Sequence, residues 1–277
     1  MLFDSHTHLN NETLTEEERA ALAEKIEASE VSYIMDVGFN LESSALAVKH
    51  AEKYPWCYAV VGCHPHDTKD MDEMQLIMIK GMAKKDKVMA IGEIGLDFHY
   101  DFSERDVQEE WFRRQIQLAN QLKMPIVIHS READELVMNI LREEGAFSNE
   151  RLSWFPKRPG PEGKMFPDAR VLLHCFSGSK ELGQQYIKLG ATLSVAGPIT
   201  YKNARKGVEV VKTIPIEYLL VETDAPYLTP EPFRGKQNMS PYVEYTARKV
   251  AEIKEMEYED VVKITCENAK RFFGINN

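Results

Sequence analysis

The chain is 277 residues long, 43% hydrophobic and 28% charged, which suits one large domain or two small ones. Its 34 Lys and Arg against 44 Asp and Glu give a formal net charge of -10. That balance argues against a basic groove that coats nucleic acid through its phosphates, and no apolar run is long enough to span a bilayer.

In chain order, short Val/Ile/Leu-rich runs alternate with longer amphipathic stretches. The predicted strands are Leu2–His8, Val31–Val37, Cys57–His64, Val88–Gly92, Pro125–His129, Val171–His174, Thr192–Ala196 and Tyr218–Glu222. Predicted helices lie between them, at Thr15–Ser29, Glu42–Lys53, Met71–Lys84, Ser103–Lys123, Glu132–Glu144, Lys180–Leu189 and Ala204–Lys212. Ser240–Glu255 and Glu259–Phe273 follow as a final helical pair. Strand–helix alternation implies parallel pairing, and about eight units in this length predict an α/β fold, a (β/α)8 TIM-type barrel over residues 1–277. An open doubly wound sheet would carry a Gly-rich phosphate turn after its first strand, and Gly92-Glu93-Ile94-Gly95 has the wrong spacing for one. The segment from Gly145 to Asp168 breaks the rhythm. Its Pro- and Gly-rich centre reads as a surface insertion, not a helix, with its base on the face opposite the active end.

The N-terminus carries no basic stretch followed by an apolar core, and Cys57, Cys63, Cys175 and Cys266 form no Cys-x-x-Cys pair. A reduced, cytoplasmic protein with no obligate protein partner is expected.

In a closed parallel barrel the chemistry collects at the C-terminal ends of the strands. There the predicted strands end in His6 and His8, His64, Glu93, His129, His174 and Asp224, which accounts for five of the eight histidines. Alternation along an extended first strand puts Asp4, His6 and His8 on one face and Phe3, Ser5 and Thr7 on the other. Closure of the eighth strand on the first brings Asp224 to His6 and His8, while Glu93, His129 and His174 come from neighbouring strands. A Glu93 carboxylate offering one oxygen to each group makes two cation sites with a shared bridge. Two divalent metal ions there suit hydrolysis of a phosphodiester or amide-like bond by a bridging hydroxide, with Asp224 as ligand and general base. His and carboxylate ligands fit Zn, Mn, Ni, Fe or Mg without selecting among them.

The other candidates carry less specific readings. His64 contacts a substrate phosphate or caps its loop, and His66 caps. Glu222 orients a ligand, touches substrate or is simply buried. Asp97 holds a ligand in place. Arg131 faces the substrate or pairs with Glu132, and Arg234 and Lys236, around Gly235, bind substrate or form a solvated charge cluster. Cys63 and Cys175 have the opposite parity to His64 and His174 and should pack toward the helices.

Ser5-His6-Thr7-His8, Gly92-Glu93-Ile94-Gly95-Leu96-Asp97, Pro125-Ile126-Val127-Ile128-His129-Ser130-Arg131, His174-Cys175-Phe176-Ser177-Gly178, Glu222-Thr223-Asp224-Ala225-Pro226-Tyr227-Leu228 and Arg234-Gly235-Lys236-Gln237-Asn238 resemble the TatD family of metal-dependent hydrolases, a branch of the amidohydrolase superfamily. The similarity runs from residue 1 to about 273. It implies a TIM-type barrel with one or two divalent metals, and His6, His8, Glu93, His129, His174 and Asp224 as their ligands, with Glu93 in the bridging role. It also implies deoxyribonuclease activity, in some members exonucleolytic on single strands, so DNA is the expected substrate. Related barrels cleave esters, amides or phosphotriesters, so a small ester, amide or aminoacyl substrate is the alternative. A noncatalytic metal-binding barrel is the second alternative.

Overall fold

The computed structural model describes residues 1–275, and its centre is a ring of eight strands hydrogen-bonded in sequence order. They are Leu2–Thr7, Val31–Val37, Cys57–Val61, Val88–Asp97, Ile126–Arg131, Val171–Leu173, Thr192–Val195 and Leu219–Val221. Each pairs in parallel with the next. The last meets the first through a thin seam. Thr7 bridges Ala225, Asp224 N donates to His6 O at 2.9 Å, and Ser5 Oγ donates to Val221 O at 3.0 Å. The ring is thus a nearly closed (β/α)8 barrel.

Alternation sorts the strand residues into two apolar layers. Phe3, Met35, Val37, Val60, Ala90, Val127, Leu172 and Leu220 form an inner cluster. The final helix, Tyr258–Phe273, adds Phe272 and Phe273 to that cluster, and Phe273 stacks on Phe3 at 6.1 Å. Leu2, Ile34, Ala59, Ile91, Ile128, Leu173 and Leu219 face the opposite way, into the layer shared with the helices. Several of the helices begin where short polar side chains satisfy their first amides: Thr15 and Asn40 form capping boxes, and Asp72 and Ser179 cap singly.

Strict alternation fails at two places. Phe3, not Asp4, belongs to the inner cluster, and a register irregularity between Asp4 and Thr7 is what turns His6 onto the side of Phe3. Asp4 is fully buried in the seam, where it accepts from Thr223 N (2.8 Å) and Thr223 Oγ1 (2.6 Å). In the fourth strand Ala90 faces inward, and a second irregularity between Ile91 and Ile94 brings Glu93 inward as well. That strand also runs five residues beyond the expected end at Gly92, because Gly95 (φ 150°) lies flat against the fifth strand where a Cβ would stand 1.9 Å from His129 O.

The segment between Gly145 and Asp168 is not a loose surface insertion. Ser148 caps a helix at Asn149–Trp154, and Arg158–Pro159 pairs antiparallel with Met165–Phe166. Two of its arginines are fully buried. Arg151 donates to Ala169 O (2.8 Å), Asn120 Oδ1 (2.7 Å) and Met124 O (2.9 Å), and Arg158 donates to Ala191 O (2.6 Å) and Ile187 O (3.1 Å). Ala169, Met124 and Ala191 each precede a barrel strand, so the segment ties down the N-terminal rim, opposite the histidines.

Candidate metal centre

The histidine-bearing strand ends meet at the C-terminal mouth, around the buried carboxylate of Glu93. On one side, His6 Nε2 lies 3.2 Å from Glu93 Oε2, 3.3 Å from His8 Nε2 and 3.9 Å from Asp224 Oδ1. His8 Nε2 is 3.4 Å from the same Asp224 oxygen. On the other side, Glu93 Oε1 lies 2.7 Å from His174 Nε2, 2.8 Å from His129 Nδ1 and 3.4 Å from His64 Nε2. The expected grouping of His6, His8, Glu93 and Asp224, and of Glu93, His129 and His174, is therefore the grouping seen.

Among the described residues three sets have ligand atoms within 4.8 Å of one another: His6/His8/Glu93, His6/His174/Glu222 and His64/Glu93/His129. The donor chemistry suits cations. Val37 O can only accept, so His8 Nδ1, 2.8 Å away, carries a proton, which turns Nε2 toward Glu93 and Asp224. His6 Nε2 and His8 Nε2 face each other beside two carboxylate oxygens, an arrangement of acceptors that a divalent ion satisfies.

Electrostatics prepares the same groups. Burial opposes ionisation of Glu93, yet His174, His64 and His6 hold its carboxyl well below the usual range. Burial likewise opposes Asp224, and the contact with His8 keeps it low. Burial and the nearby His174 push His6 down, and burial and His129 push His64 well below an ordinary imidazole. His174 is raised well above its ordinary value: burial works against protonation, but Glu93 and Glu222 outweigh it.

A second layer fixes these side chains. Asp97 Oδ2 lies 3.1 Å from His129 Nε2 and 3.0 Å from His66 Nε2, while Asp97 Oδ1 accepts from His99 N and Tyr100 N at 3.0 Å. Asp97 thus touches a ligand candidate, as expected, and it also holds His66, for which capping was the favoured reading. Glu222 departs from the expectation of a substrate contact. It is fully buried, its Oε1 accepts from Cys175 N (2.7 Å) and faces His174 Nδ1 (3.4 Å), and its Oε2 accepts from Ser194 Oγ. With both oxygens engaged beneath His174, it positions that ring.

His64 also differs from its expected place on the substrate side. The third strand ends at Val61, three residues early, and the chain turns into a 3-10 helix at Pro65–Asp70. His64 caps that helix by accepting from His66 N at 3.2 Å, while its Nε2 joins Glu93 and His129. Both the capping and the inward contact therefore belong to one ring. Cys63 packs toward the helices and its amide donates to Gln115 Oε1 at 2.8 Å.

The basic candidates stand apart from this cluster. Arg131, Arg234 and Lys236 are exposed and lie over aromatic rings: Arg131 over Tyr100 (4.7 Å), Arg234 over Tyr201 (4.3 Å), Lys236 over Phe233 (5.5 Å). Glu132 faces His99 at 2.7 Å instead of Arg131.

Residues 3–274 match the family model described as TatD related DNase. A Bacillus subtilis protein described as an uncharacterized metal-dependent hydrolase is 45% identical over 276 residues, covering 100% of both chains. An Escherichia fergusonii protein described as a 3'-5' ssDNA/RNA exonuclease is 31% identical, covering 99% of this chain and 100% of its own. Among solved structures, a TatD homolog from Escherichia coli superimposes with a TM-score of 0.85 at 25% identity, covering 99% of this chain and 98% of that one.

Proposed function

The chain belongs to the TatD family of metal-dependent hydrolases, and from that premise we propose that it cleaves phosphodiester bonds in nucleic acid strands, DNA first among them. The observation that carries this is the division of Glu93: one oxygen faces His6, the other faces His174 and His129. A single carboxylate shared by two imidazole groups is suited to holding two divalent cations side by side, with His6, His8 and Asp224 around one and His64, His129 and His174 around the other. Such a pair supplies an acidified water and neutralises charge at the scissile group.

The remaining work falls to the protein's own atoms. Asp224 Oδ1, kept ionised beside His8 Nε2, accepts the proton of the attacking water and returns it to the leaving oxygen. Glu222 and Asp97 hold the His174 and His129 rings from behind, so that the ring nitrogens do not swing away. Arg131, Arg234 and Lys236, exposed on the same rim as the end of the fifth strand and the loop after the eighth, steady neighbouring phosphates. Four unpaired cysteines support a reducing compartment, the cytoplasm.

The test is hydrolysis of a single-stranded oligonucleotide by purified protein, before chelation, in excess chelator and after add-back of each divalent metal. Activity that vanishes with chelator, returns with metal and is absent in Glu93→Gln is the expected outcome. Undiminished cleavage in excess chelator rules the assignment out. The net charge of -10 favours one rival, a small ester or amide substrate, and a metal-loaded protein that turns over such compounds but no oligonucleotide would establish it.

A further inference from the structure

Two of the largest exposed apolar side chains stand together beside the metal centre. Tyr100 and Phe102 are 47% and 56% exposed, and their rings stack at 5.2 Å with an interplanar angle of 19°. They follow the fourth strand, on a loop clamped by Asp97, whose Oδ1 accepts from Tyr100 N while its Oδ2 faces His129. His66 fills the gap between rings and ligands. Its imidazole lies edge-on to Phe102 at 4.8 Å, to Tyr100 at 5.5 Å and to His64 at 4.3 Å. Exposed aromatic rings held this rigidly beside a reaction centre need a reason, since burying them would be favourable.

We propose that Tyr100 and Phe102, together with Arg131, form a stacking platform for the nucleobase next to the scissile phosphodiester. The inference rests on the nucleic-acid substrate proposed above and deepens it. A flat π-face accepts any base, which gives hold on a strand without sequence preference and without relying on a basic groove, against which the net charge of -10 argues. Arg131, its guanidinium over the Tyr100 ring at 4.7 Å from the centroid, adds a cation to the stack, where a backbone phosphate would pass. Arg105 is not available for that task, because Asp101 holds it in a bidentate pair at 2.9 and 2.7 Å. The rings are positioned through Asp97, the same carboxylate that steadies His129, so base and scissile group would be set by one rigid element.

The experiment has two independent readouts. The first is fluorescence of a non-hydrolysable phosphorothioate strand carrying 2-aminopurine at each terminal nucleotide in turn, which dims when the base stacks. The second is hydrolysis kinetics on an ordinary single strand and on the same strand with abasic terminal nucleotides. The metal-loaded protein quenches the probe at one terminus. The double variant Tyr100→Ala/Phe102→Ala loses that quenching, and its KM on the ordinary strand rises roughly five- to a hundred-fold. Its kinetics on the abasic strand match those of the unaltered protein, and Phe102→Trp, which keeps a ring, retains quenching. A double variant with intact quenching and unchanged KM overturns the platform while leaving the nuclease assignment in place. Equal damage on ordinary and abasic strands also overturns it, since the rings would then only support the loop. Quenching that depends on both rings in a protein that hydrolyses no strand sinks the nuclease assignment and keeps the platform.

Discussion

Arg151→Ala tests whether the segment between Gly145 and Asp168 is part of the barrel's foundation. Burial pushes the Arg151 guanidinium down to about 10, so it remains charged at neutral pH. Truncation removes three short bonds and leaves Ala169 O, buried, and Met124 O and Asn120 Oδ1, partly buried, without their donor. Each buried acceptor left bare costs about 1–3 kcal/mol, and partial water entry lowers the sum, so the loss is roughly 3–5 kcal/mol. At about 2–4 °C per kcal/mol for domains near this size, Tm falls by roughly 6–20 °C. The assay is thermal unfolding followed by circular dichroism, with metal content and activity at low temperature measured in parallel. Those two should not change, because the arginine lies at the rim opposite Glu93. The exposed Lys164–Glu162 contact is the control within the same segment, and Lys164→Ala should leave Tm within about 2 °C. A shift of that small size for Arg151→Ala would refute the tie to the strand entrances.

Glu222→Gln replaces an acceptor oxygen by a donor facing either Cys175 N or Ser194 Oγ. Loosening of His174 should cost about 10- to 100-fold in activity or metal affinity, and calorimetric metal titration should show one ion weakened more than the other. Equal, unaltered binding of both ions with unaltered turnover would remove Glu222 from its positioning role. Gly95→Ala forces a Cβ onto His129 O at 1.9 Å and a methyl onto a backbone at φ 150°. The expected result is a loss beyond ~4 kcal/mol, read as insoluble protein or a Tm too low to measure, and a well-folded Gly95→Ala protein would contradict the strand contact described.

The barrel and most of the centre were legible because strand parity and strand order are both written in the residues: His129, His174 and Asp224 keep step with the inner Val127, Leu172 and Leu220. Where parity slips it could not be read. The irregularities beside Asp4 and Ile91 come from interstrand register, a property of two strands at once, so Phe3 was assigned to the wrong face. Parity also carries no depth. Glu222 faces inward as expected but is fully buried, with its Oε1 facing His174 Nδ1. His64 was extrapolated along a strand that ends at Val61, and only the Pro65 that follows it hinted at the turn. The segment beyond Gly145 misled through composition. Its prolines and glycines advertise a loop, whereas its fold depends on Arg151 and Arg158, a residue type that is seldom buried.

The thin seam sets an order of assembly. Ser5 and Val221, which it joins, are 216 positions apart, and the His6–His8–Asp224 group straddles that join. The partner group draws only on the third to sixth strands, which are contiguous in the chain. A nascent polypeptide can therefore bring His64, Glu93, His129 and His174 together before Asp224 exists to close on the first strand. The His6–His8–Asp224 group, by contrast, is complete only once the two ends of the ring have found each other.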